Sequence, residues 1–112
     1  MADCIFCKVV TGEIPATVVK RTDRLLAFRD IHPEAPTHLL IIPTHHVASL
    51  DRVQDGDLLG EMLMFASGLA REEGIAQRGY RVVLNTNVDG GQTVYHLHLH
   101  LLGGRPMRWP PG

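Results

Sequence analysis

The chain has 112 residues, 45% of them hydrophobic, which is room for one core and too little for two, since single domains usually occupy ~100–150 residues. Its 11 Lys+Arg against 12 Asp+Glu leave a formal charge of -1, a balance that excludes a protein holding nucleic acid by neutralising many phosphates. The apolar runs are short, as in Leu39–Ile42, so none reaches the ~20 residues that a membrane-spanning helix needs, and no membrane partner is expected.

The first stretch, MADCIFCKVV, lacks a basic region followed by an apolar run and a small-residue cleavage site, so a cytoplasmic protein is expected. Residues 2–15 carry Cys4, Cys7 and the turn-like Thr11-Gly12-Glu13, and they read as a short element followed by a loop. Residues 16–20 and 25–30 are β-prone runs around Arg21-Thr22-Asp23-Arg24, the pattern of a hairpin. Pro33 and Pro36 then exclude helix. His38–Ile42 is a continuous apolar run ended by Pro43, which predicts a central strand buried on both faces.

Residues 55–74 are predicted as the long helix, capped by Asp55 or Asp57 accepting from the free amides of its first turn. Leu58, Leu59, Met62, Phe65, Ala66, Leu69 and Ala70 fall at spacings of three and four, a stripe that belongs to the core. Residues 81–86 are extended, Asn87–Gly91 is a turn signal and His96–Leu102 is a further strand. In residues 103–112 the glycines and prolines exclude regular structure. Strands, one long helix and strands again predict an antiparallel α+β domain over residues 1–112.

Histidine is in excess, seven in all, three of them in the run HLHLHLL at 96–102. In a strand this alternation puts the histidines on one face, ~6.5–7 Å apart, and the leucines in the core. A polar strand face or a three-histidine metal site would share that pattern. The preceding Asp89-Gly90-Gly91-Gln92-Thr93-Val94 favours phosphate chemistry. Two glycines let backbone amides approach an anion closely, Gln92 and Thr93 add donors, and an imidazole is a competent nucleophile toward phosphorus. Cys4 and Cys7 form a C-x-x-C, open to a redox, metal or coincidental reading. A redox motif belongs at a helix start after a strand in a thioredoxin-like βαβ pattern, and nothing of that kind follows here, while zinc needs two further ligands.

The HLHLHLL run resembles the motif of the histidine triad (HIT) superfamily. The segments IFCKVVTGEIPA at 5–16, LLAFRDIHPEAPTHLLIIP at 25–43, GYRVVLNTNVDGGQTVYHLHLHLLGGRPM at 79–107 and the terminal WPPG resemble its histidine triad nucleotide-binding (HINT) branch. The resemblance implies a five-stranded antiparallel sheet with one long and one short helix, paired into a ten-stranded sheet in a homodimer. It implies hydrolysis of purine nucleoside phosphoramidates and aminoacyl adenylates through a nucleotidyl intermediate on His98. His100 then contacts the phosphate and helps the leaving group, His38 is the fourth histidine of the centre and His96 the first of the triad. Asp30 corresponds to the ribose carboxylate, and Phe6, Phe28 and Ile31 to the base slot. Asn85, Gly91, Gln92 and Val94 fall on the phosphate side, and Thr93 stands where the branch commonly has serine. Trp109, in the tail 103–112, is implied to cross the dimer interface to the partner's site. Relatives with the N-terminal C-x-x-C imply a structural zinc on Cys4, Cys7, His46 and His96, with no cofactor needed for the chemistry. His32 and His45 are left as surface residues. A dinucleoside polyphosphate hydrolase is disfavoured by the WPPG tail and the GGQTVYH spacing, and a nucleotide-binding interaction module is the reading from another class.

Overall fold

The computed structural model describes residues 3–112; Met1 and Ala2, the start of the expected N-terminal element, lie outside the described residues. Helix α1 spans Ile5–Thr11 and opens on Cys4, whose Sγ accepts from the Cys7 amide. It closes at Gly12, where φ is +84° and the amide donates to the Val9 carbonyl, a left-handed cap open to glycine without strain. Strands β1 (Val18–Arg21) and β2 (Leu25–Arg29) form the expected hairpin, and β3 (Thr37–Pro43) follows the proline-bearing loop. Helix α2 (Gly56–Glu72) is capped by Asp55, whose Oδ1 accepts from the Asp57 amide at 3.0 Å. Strand β4 (Tyr80–Val83), the four-residue helix α3 (Asn87–Gly90) and strand β5 (Leu99–Gly103) complete the chain, with a single turn of 3-10 helix at Leu50–Arg52.

The five strands form one antiparallel sheet in the order β1-β2-β3-β5-β4. The apolar run of β3 therefore lies at the centre, as its unbroken hydrophobicity predicts. Residue parity sorts the two faces. Leu25, Ala27, Leu39, Ile41, Leu99 and Leu101 pack under α2 against Leu58, Met62, Ala66, Leu69 and Ala70. Leu26, Phe28, Leu40 and Ile42 pack on the other face with Phe6 of α1. Leu40 pairs with His100 and His38 with Leu102 across β3 and β5, so the even-numbered histidines share the α1 face.

Three expectations are corrected. Strand β5 begins at Leu99, not His96: the last ladder pair is Ile41–Leu99, two residues further on Pro43, which would stand opposite Leu97, has no amide to offer, and the Leu97 amide turns to the Val47 carbonyl at 2.6 Å. The turn signal at 87–91 holds the short α3, because the Gln92 side chain accepts from the Asn87 amide at 3.0 Å. The strand expected over 81–86 is shorter, ending at Val83. No helix among the described residues is long and apolar enough to cross a membrane.

Candidate active site

Beneath α1, the α1 face of the sheet holds a cavity of about 390 Å³. Phe6, Phe28, Ile31 and Leu40 give it apolar walls, and Asp30, Thr93, His98 and His100 line it with polar groups. Of the residues expected at a nucleotide, Phe6, Phe28, Asp30, Ile31, Thr93, Val94, His98 and His100 all line this space. Sequence reasoning missed Val9 and Leu40; Val9 follows Phe6 at the three-residue spacing of a helix face, a signal that was present. His32, left as a surface residue, sits on the rim of the cavity, and its amide donates to Asp30 Oδ1 at 2.8 Å.

The backbone fixes which nitrogen of each ring carries its proton. His98 Nδ1 lies 2.7 Å from the His96 carbonyl oxygen. A carbonyl only accepts, so Nδ1 carries the proton and Nε2 keeps a lone pair. Phe6 stands edge-on to that ring, centroids 5.2 Å apart. At His38 the polarity is reversed: the Glu34 amide donates to Nδ1 at 3.0 Å, which puts the proton on Nε2. That nitrogen is 2.9 Å from His100 Nδ1 and 3.4 Å from Asp30 Oδ2. His100 Nδ1 thus accepts, and its own proton sits on Nε2. One neighbour offers a lone pair and the other a proton.

Burial favours the neutral form of the His98 and His100 rings. It lowers the His98 pKa below its ordinary value, against the opposing pull of the His96 carbonyl and Asp30. It lowers His100 to about 4, with His98 and His38 adding to the effect. At neutral pH the cavity is therefore lined by an uncharged lone pair on His98 Nε2 and an uncharged N–H on His100 Nε2.

A second cluster lies next to the first. His96 Nδ1 is 3.3 Å from Cys4 Sγ and 3.6 Å from Cys7 Sγ, and His46 Nδ1 is 3.5 Å from Cys7 Sγ. All four donor atoms lie within 4.8 Å of one another. Bonds of ~2.3 Å to sulfur and ~2.0–2.1 Å to nitrogen give a tetrahedral sulfur–nitrogen edge of about 3.5 Å, so this set fits a four-coordinate ion. His96 Nε2 donates to the Pro43 carbonyl at 2.9 Å, leaving Nδ1 as a free ligand atom with the backbone partner such sites use. Burial raises the Cys7 thiol above its usual range, and Cys4 beside it adds to that. Asp30, His38 and His100 also lie close enough to share an ion, but a metal on His38 Nε2 would force a proton onto Nδ1, facing the Glu34 amide. A carbonyl behind one histidine and an amide behind the other give the two clusters opposite characters.

Other expected residues do not reach the cavity wall. Gln92 is buried, and its amide is committed: Nε2 donates to the Ala48 and Val94 carbonyls, and Oε1 accepts from Asn87. It shapes the loop and offers no side-chain donor to an anion, which corrects the sequence expectation. The Gly91 and Gln92 amides close α3 onto the Val88 and Asn87 carbonyls, so the expected glycine nest is occupied. Among the described residues the amides of Thr93 and Val94 donate to no backbone carbonyl, which moves the open donors two residues downstream. Asn85 lies beside Gly90, outside the cavity lining. Trp109 is 83% exposed at the far end of the chain.

The HIT domain model matches residues 11–107. The chain is 49% identical over 107 residues to the purine nucleoside phosphoramidase of Escherichia coli strain K12, covering 94% of this chain and 90% of that one. It is 49% identical over 112 residues to the 14 kDa zinc-binding protein of Zea mays, covering 96% and 87%. A HIT family hydrolase from Legionella pneumophila Philadelphia 1, solved by crystallography, superposes with a TM-score of 0.95 at 59% identity, over 98% of this chain and all of that one.

Proposed function

The chain belongs to the HIT domain family, and from that premise we propose that it is a homodimeric hydrolase that cleaves the P–N bond of purine nucleoside phosphoramidates, and the P–O bond between phosphate and carboxyl in aminoacyl adenylates, through a nucleotidyl intermediate on His98. The observation that carries this reading is the Nδ1–H of His98 held at 2.7 Å by the His96 carbonyl. It aims the Nε2 lone pair into a cavity wide enough for a nucleotide and offsets the positive charge the ring acquires as it bonds to phosphorus.

In the first step His98 Nε2 attacks the α-phosphorus, a P–N bond to the imidazole forms and the bond to the amine breaks. The amine departs with a proton, and the His100 Nε2–H and the Thr93 hydroxyl are the donors lining that side. Water then attacks the phosphorus, the imidazole leaves and a nucleoside monophosphate is released. Phe6, Phe28 and Ile31 hold the base, and Asp30, with Oδ2 toward His38, accepts from the ribose hydroxyls. The open amides of Thr93 and Val94 take the phosphate oxygens, in the manner of backbone anion sites.

Cys4, Cys7, His46 and His96 would hold a structural zinc. Its contribution is to tie α1 to the loop before β5, and the chemistry needs no cofactor. Homodimer formation is supported by the unpaired edge of β4 and a groove lined by Leu50, Leu59, Leu63 and Val82, with Leu63 and Met64 exposed beside it. In such a dimer the tail 103–112 carries Trp109 toward the partner's site. A kinetic comparison of an adenosine phosphoramidate, an aminoacyl adenylate and a diadenosine polyphosphate tests the substrate class. The phosphoramidate should have the highest kcat/KM, and preference for the polyphosphate would move the chain to the neighbouring reading.

A further inference from the structure

The donor on His100 depends on a chain of contacts that begins outside the cavity. Strand β5 ends at Gly103, Gly104 follows it, and both glycines are required by close approach. A Cβ at Gly103 would lie 2.5 Å from Ile75 Cδ1, and one at Gly104, where φ is +91°, would lie 2.9 Å from Pro36 Cβ. The backbone therefore turns directly against the loop that joins β2 to β3. From that turn Arg105 reaches back: its Nε donates to the Glu34 carbonyl at 3.0 Å, while Nη1 is held by the Pro106 carbonyl at 3.0 Å.

We propose that Arg105 is a positioning residue, which anchors the Glu34 backbone on its carbonyl side so that the amide on its other side imposes the Nε2–H tautomer on His38 and, through it, the Nε2–H donor on His100. Glu34 uses both ends of its backbone: the carbonyl accepts from Arg105 and the amide donates to His38 Nδ1 at 3.0 Å. On the other side of the ring His100 Nδ1, at 2.9 Å, accepts from Nε2 only once the proton is there, and the Asp30 carboxylate, with Oδ2 3.4 Å away, favours the same form through space, so the Glu34 amide is the directional hydrogen bond that keeps a proton off Nδ1. The loop is pinned at its start by the His32 amide on Asp30 Oδ1, and Arg105 pins its far half. Without that anchor Glu34 is free to turn, His38 gains access to the Nδ1–H form and His100 Nδ1 loses its donor. The proton of His100 is then no longer confined to the nitrogen facing the cavity.

The consequence for catalysis rests on the role proposed for His100, but the tautomer does not. Two-dimensional 15N spectra of the imidazole rings at neutral pH read the tautomer without substrate. The intact protein should show His38 and His100 each with a single protonated nitrogen, Nε2. In Arg105→Ala, His38 should show exchange-averaged nitrogens, and kcat for a phosphoramidate should fall ~10–100-fold with KM nearly unchanged, the scale of a misplaced proton donor. Arg78→Ala removes a charge from the same surface hollow and should change neither readout. Should Arg105→Ala fail to fold, Glu34→Pro removes the amide directly and should give the same mixed tautomer. A single Nε2–H tautomer at His38 in these variants, or the same change in Arg78→Ala, overturns the proposal. A mixed tautomer in a protein that does not turn over phosphoramidates would uphold it and sink the substrate assignment instead.

Discussion

Three of the histidines differ by what the backbone places behind them. His96 donates to a carbonyl through Nε2 and His98 through Nδ1, while His38 Nδ1 accepts from an amide, and on the nitrogens left over rest the roles proposed for them as ligand, nucleophile and donor. Replacing His98 by alanine should lower turnover of an adenosine phosphoramidate by at least ~1,000-fold, the scale at which enzymes lose a covalent nucleophile. Its melting temperature should stay within a few degrees, because the backbone bond of this ring among the described residues is to a neighbour two residues away. His100 makes a separate pH prediction. Its pKa is about 4 when folded and ordinarily ~6.5 when unfolded, so between those values the unfolded chain binds the extra proton. Stability from this group is complete above pH ~6.5 and declines as pH falls toward 4, by at most about 3 kcal/mol. Urea titrations between pH 7 and 4 should show that decline steepest in this window and reduced in His100→Asn.

At the level of elements, legibility in the sequence followed what is local. The alternation of HLHLHLL and the unbroken run of β3 depend only on residue parity, so the sheet centre and the histidine face could be read directly. The Asp55 cap and the α2 stripe likewise rest on neighbours three and four apart. Helix α3 was not legible because Asn-Val-Asp-Gly is turn chemistry, and it closes only when Gln92, committed to Ala48 across the fold, accepts from Asn87. The start of β5 was hidden for the same reason: it is set by Pro43 on another strand. Gln92 therefore makes a test of its own. Gln92→Ala should destabilise the protein by about 2–3 kcal/mol through the buried groups it orphans, measured by chemical denaturation, and a loss below ~0.5 kcal/mol would mean that the loop finds its shape without it. Helix α1 is tied down by the cysteine and histidine cluster, so Cys4→Ser or prolonged chelation should lower the melting temperature and release about one zinc per chain. Metal analysis of protein purified without chelator, showing none bound, would remove the zinc assignment.

Across the whole molecule, one face of the sheet is covered by α2 and the other by α1 and the cavity, and the strand edges and the Leu63–Met64 side of α2 are the surfaces on which the proposed homodimer rests. Leu63→Glu with Met64→Glu should shift the chain toward monomer in sedimentation at micromolar concentration, while an unchanged sedimentation coefficient would place the dimer contact elsewhere. Removal of residues 108–112 should alter the relative kcat/KM for aromatic and alkyl amine leaving groups several-fold, on the order of 1 kcal/mol of lost contact. The central claim is covalent chemistry at one nitrogen, and it is tested most directly by rapid quench of the protein with excess adenosine phosphoramidate followed by mass analysis of the peptide containing His98. The account predicts one nucleoside monophosphoryl group on His98 within the first turnover, absent from His98→Ala. Steady turnover with no adduct on His98, or turnover of His98→Ala at the rate of the unaltered protein, would contradict it.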